Sequence, residues 1–160
     1  MTMKFPILAA ALLLAPILMS QTVRAQATQP PAGAPSQGEE PKSQLQKDMD
    51  QINSAVKKLR HQIDDASRNA SSLDLVAQIR SAASDAAGQT PSWAAEKPEA
   101  DRAKFVADFQ SHMKEFIGKV DALAGALKAD DNAGAAKGLK DLFAAEHAGH
   151  KEFRKPKPQQ

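Results

Sequence analysis

The 160-residue chain contains no cysteine and no tyrosine, and only 4% of it is aromatic. Without cysteine there is no disulfide to staple a core, no thiol nucleophile or thiolate metal ligand, and no Cys-x-x-Cys-His to tether a haem through thioether bonds. Few aromatics, and no stretch of strand-like alternation, argue against a sheet protein. A large excess of one charge is also missing. The chain has 21 Lys and Arg against 19 Asp and Glu. Setting aside Lys4 and Arg24, for the reason given next, leaves 19 of each and no net charge. No one-sign face suggests capture of DNA, RNA or anionic lipid.

The one long apolar run, Phe5 to Met19, spans 15 residues and is interrupted by Pro6 and Pro16. A membrane span needs about 20. The run follows Lys4 and is succeeded by Ala25-Gln26-Ala27, small residues at the positions a signal peptidase reads. Residues 1–27 are therefore expected to be a cleaved signal peptide. The chain would be exported to the periplasm, with no membrane anchor left after cleavage. Residues 28–43 (TQPPAGAPSQGEEPKS) have almost nothing to bury and are expected to form a flexible leader. Residues 44–155 carry the helical pattern, and 156–160 are expected to be a disordered tail.

Four amphipathic stretches make up that helical region. The first, from about Gln44 to Asn69, places Leu45, Met49, Ile52, Val56, Leu59 and Ile63 at alternating steps of four and three. The second, about Ser72 to Ala87, has Ser71 or Ser72 as its expected cap. A Pro-containing loop with Trp93, read as a plug over the bundle end, leads to the third, about Asp101 to Ala129. Asp130-Asp131-Asn132 turns the chain into the fourth, which Pro156 stops. Gly134 and Gly138 each cost this helix up to about 1 kcal/mol against Ala. The pattern predicts an all-α, antiparallel up-down-up-down four-helix bundle.

That topology puts two residues at one height. Met49 lies near the start of the first helix and His150 near the end of the fourth. At about 1.5 Å per residue, both are about 7 Å from the same end of the bundle. Each is on an apolar stripe, so they are expected to face one another across the core. Either residue alone is as readily core filler or boundary histidine. Together, a thioether and an imidazole on opposite walls make an axial pair for haem iron. Phe109, with Phe105 below it, is at the right end to line a porphyrin face. His112 falls higher along the third helix and His61 off the stripe of the first, so neither is expected to be a ligand.

Residues 45–63, LQKDMDQINSAVKKLRHQI, resemble the opening helix of the cytochrome b562 family, with its methionine at Met49. Residues 108–154, with Ile117-Gly118 and the closing EHAGHKEFR, resemble its last two helices, the terminal histidine falling at His150. GQTPSWAAEKP looks like the Pro-rich loop after its second helix. The resemblance implies a periplasmic bundle holding one non-covalent b-type haem per chain. Met49 and His150 would be its axial ligands, with Phe109, Phe105 and Met113 around the porphyrin. It implies electron exchange with periplasmic redox partners, and a neutral chain with few aromatics is compatible with a monomer.

Two other classes remain open at this level. Glu146, His147 and His150 lie on about one helical turn and could bind zinc or copper. A haemless bundle serving as an interaction module is the third reading. No nucleophile–base pair, paired core carboxylates or phosphate loop points to an enzyme.

Overall fold

The computed structural model describes residues 41–156, and the expected signal peptide, nearly all of the leader and most of the tail lie outside these. Four helices follow one another: α1 Gln44–Arg60, α2 Asn69–Ala87, α3 Glu99–Lys128 and α4 Asn132–Phe153. Short 3₁₀ turns, Ala66–Arg68 and Ser92–Glu96, lie in the two longer links, and no strand occurs among the described residues. The closest packing is between successive helices, α1 on α2, α2 on α3 and α3 on α4. The fold is a four-helix bundle.

The start of α1 is fixed by a reciprocal cap. Ser43 Oγ accepts from the Gln46 N–H (3.2 Å) while Gln46 Oε1 accepts from the Ser43 N–H (2.8 Å). The helix ends at Arg60, nine residues before the Asn69 that the apolar spacing suggests. Ile63 keeps the stripe's spacing and is buried, but it sits in the turn after the helix. The chain is drawn off the helical path there by Asp65, whose carboxylate caps the first 3₁₀ turn. The Ser67 hydroxyl, and then its N–H, bond that carboxylate and hold its pKa below the ordinary aspartate value.

Ser71 and Ser72 are not the cap of α2, which begins at Asn69 with no side-chain cap. Ser72 is fully buried and accepts a hydrogen bond from Gln62 (3.0 Å). At the same end, Asn69 and Asn132 bond each other, Asn69 also donates to Asp130, and Asn132 donates to the Ile63 carbonyl (2.9 Å each). The α1–α2 link and the α3–α4 turn are thereby joined. Asp130 adopts φ 55°, the left-handed conformation that lets the α3–α4 turn close in three residues. Asp131 caps α4 by accepting from the Gly134 N–H (2.8 Å), and a Cβ at Gly134 would collide with that carboxylate.

The core is aliphatic, built on Val56, Leu59, Ile79, Val120, Leu123, Leu127 and Leu142, each at most 1% exposed. Buried alanines, Ala82, Ala83 and Ala86, let α2 approach its neighbours closely.

Candidate cofactor site

At the end of the bundle away from the asparagine pair, α1 and α4 stand apart over α3. A cavity of about 640 Å³ lies between them. This is within the range of about 300–1,000 Å³ usual for small-molecule and cofactor sites. Leu45, Met49 and Ile52 of α1 form one wall, and Gly149, His150 and Phe153 of α4 the other. Phe109, Met113 and Phe116 of α3 make the floor, each at most 5% exposed. Lys42, Arg154 and Lys155 stand at the lip.

Met49 and His150 therefore line one cavity from opposite helices, Met49 half-buried and His150 exposed. Phe109 and Met113 line the same cavity. Phe105 does not line the cavity. It is half-buried behind it, its ring 5.7 Å from Trp93 and 5.5 Å from Phe153. The aromatic that reaches the cavity from that cluster is Phe153, packed 5.4 Å edge-on to Phe109. Its position three residues after His150 was a usable signal, since residues three apart share a helix face. Trp93 is half-buried, with the Lys97 amino group 3.3 Å from its ring centroid.

His112 also lines the cavity, though the sequence places it too high along α3. Its Nε2 lies 3.0 Å from the Ala145 carbonyl. A carbonyl oxygen only accepts, so Nε2 carries the proton and Nδ1 is the free acceptor when the ring is neutral. The ring fits because position 149 is glycine: a Cβ there would be 2.6 Å from His112 Nε2. Gly149→Ala alone should therefore cost about 1 kcal/mol, the lost hydrogen bond outweighing the helix propensity gained. In a His112→Ala background the same change should stabilise by up to about 1 kcal/mol. Urea denaturation of the four proteins of this cycle reads the reversal of sign, and simple additivity would refute it.

Beside Met49, Asp48 faces the other way. It is 4% exposed and accepts from Gln44 Nε2 (2.8 Å) and Gln89 Nε2 (2.5 Å). Gln89 follows the end of α2, so the bond fixes the first turns of α1, and Met49 with them, against α2. On α4, Lys155 pairs with Glu96 at 2.7 Å and ties the helix end to the second 3₁₀ turn.

Glu146, His147 and His150 do not gather as a metal triad. Among the described residues no three His, Cys, Asp or Glu side chains are grouped to hold an ion. The reason is helical geometry: Glu146 and His147 are consecutive and point about 100° apart around α4. His147 instead lines a second cavity of about 340 Å³ farther along the α1–α4 groove, which Glu146 and His150 share with the first.

The donor set suits a haem: a thioether and an imidazole on facing walls, an aromatic and aliphatic floor, and cations at the lip for propionates. The family model described as cytochrome b562 matches residues 44–154, and the chain belongs to the cytochrome b562 family. The family is one of haem-binding electron carriers, generally not enzymes, and b-type haem is the cofactor it implies. No curated protein and no solved structure was found to match the chain. Among the described residues, no helix is long and apolar enough to cross a membrane.

Proposed function

We propose that the protein is a periplasmic b-type cytochrome, a monomer holding one non-covalent haem between Met49 and His150 and exchanging electrons with redox partners of that compartment. The observation that carries the reading is the shared cavity, with a sulfur donor on α1 and an imidazole on α4. Export is supported by the apolar run ending in Ala25-Gln26-Ala27.

Bound haem supplies a one-electron iron couple. The Met49 thioether is a soft, weak donor that favours the ferrous state, so a Met/His pair sets a higher potential than two imidazoles would. With Met49 and His150 both donating, such a site would offer no open position for oxygen, which suits it to electron transfer. Phe109, Phe116 and Phe153 exclude water from the floor. Arg154, which lines the cavity and enters no ion pair among the described residues, would meet a propionate.

The test is an absorption spectrum of the protein with haem, oxidised and then reduced by dithionite. Wild type should give sharp low-spin bands, and Met49→Ala and His150→Ala should each give high-spin spectra. A spectrum like that of free haem in the wild type would sink the proposal.

A further inference from the structure

The second cavity is lined by an unusual set of side chains for a chain with no excess charge outside residues 1–27. Lys57, Arg60 and His61 come from α1 and the residue after it; Phe143, His147 and His150 come from α4. Glu146 is its one carboxylate. Neither Lys57 nor Arg60 enters an ion pair among the described residues, and Arg60 is held with its guanidinium 6.0 Å from the Phe143 ring centroid. All four histidines of the chain line this cavity or its neighbour. His150 belongs to both, so its imbidazole-bearing turn links the cofactor cavity to this basic recess.

We infer that this recess, lined by Lys57 and Arg60, is the docking face for an acidic redox partner protein. The inference rests on the cytochrome reading above. Charge complementarity selects the partner: two cations in no ion pair, against the single carboxylate of Glu146, attract carboxylates and leave the half-buried Phe143 ring to be covered. Place selects the role, because a partner seated here lies directly against the helix turn that carries the His150 ligand. Long-range attraction of this kind raises association rates and falls away with added salt.

Two measurements test it. First, hexacyanochromate(III), a redox-inert paramagnetic trianion, is titrated into ¹⁵N-labelled protein with and without haem. Amide broadening is expected around Lys57, Arg60, His61, Phe143 and His147, and should vanish at high salt. Second, reduced haem protein is oxidised by hexacyanoferrate(III), which takes one electron from the ferrous iron and becomes hexacyanoferrate(II). In Lys57→Glu/Arg60→Glu the second-order rate constant should fall about tenfold at low ionic strength. Oxidation by the cation tris(phenanthroline)cobalt(III) should rise in the same variant. Broadening centred elsewhere, or an unchanged hexacyanoferrate rate, would overturn the assignment. So would binding to phosphatidylglycerol vesicles that the double substitution abolishes while the hexacyanoferrate rate stays the same. Lack of haem uptake would defeat the cytochrome reading itself, and the broadening experiment on haem-free protein keeps the two failures apart.

Discussion

Adding haem should raise the melting temperature of the protein by about 15 °C. Binding to the native state alone contributes RT ln(1 + [L]/Kd), about 4 kcal/mol when free haem stands at a thousand times its dissociation constant. For a domain of this size each kcal/mol moves the midpoint by about 4 °C. The gain should come from a specific place. Without a cofactor, α1 and α4 border a cavity of about 640 Å³ that leaves His150 in solvent and Met49 half-exposed. With haem in place, Met49 and His150 would hold the iron from the two helices, and Phe109, Met113 and Phe116 would be covered by the porphyrin. Met49→Ala or His150→Ala should keep the haem-free melting temperature within a few degrees, because neither side chain is fully buried, yet lose most of the haem-dependent rise. Scanning calorimetry at several haem concentrations reads both quantities. Equal midpoints with and without haem would contradict the proposed cofactor.

Asp48→Ala should destabilise the protein by about 2 kcal/mol even without haem. The carboxylate is almost wholly buried and takes two amide donors, Gln44 from its own helix and Gln89 from beyond the end of α2. Removing it leaves a small void and two side-chain amides without their acceptor. Asp48→Asn keeps one acceptor oxygen but turns an amide toward the two donors, and should cost about half as much. A paired change, Asp48→Leu with Gln89→Leu, should recover part of the loss, since the half-buried partner is replaced with an apolar group too and only the exposed Gln44 amide is left to water. Urea midpoints order these variants. The same substitutions should broaden the reduced haem spectrum, because Asp48 orients the turn that carries Met49. An Asp48→Ala protein as stable as wild type would show that the bond to Gln89 carries no weight.

Much of this arrangement is legible in the amino-acid order, for physical reasons that also explain the misreadings. The 3.6-residue period finds four helices because each must bury a stripe. It overruns the end of α1 because Ile63 is buried from a turn as well as it would be from a helix. What draws the chain off the helical path is Asp65, whose carboxylate caps the first 3₁₀ turn, and the spacing of apolar residues carries no sign of it. The matching height of Met49 and His150 follows from counting residues from a shared end. The same count fails for His112, because α3 has 30 residues, about 45 Å, against 17 for α1, about 25 Å. Its first turns project beyond α1 to meet Trp93, so residues along α3 sit lower relative to Met49 than counting suggests. Phe105 falls behind the cavity for the same reason, and Phe153 takes the place at its edge. The pairing of His112 with Gly149 joins two helices and could not be read from either one alone.

The hydrogen-bonded asparagines and the cavity lie at opposite ends of the bundle, which sets an order of assembly. Asn69, Asn132 and Asp130 join both helix connections at the far end with bonds that owe nothing to a cofactor. The leucine and valine layers next to them are likewise closed. A newly made chain can therefore complete that half first and meet its cofactor as a receptor already in register. Loading then concerns only the cavity end, where the Asp48–Gln89 bond and the Lys155–Glu96 pair hold α1 and α4 to their neighbours on either side of the opening. The chain need not wait unfolded for a scarce and reactive porphyrin.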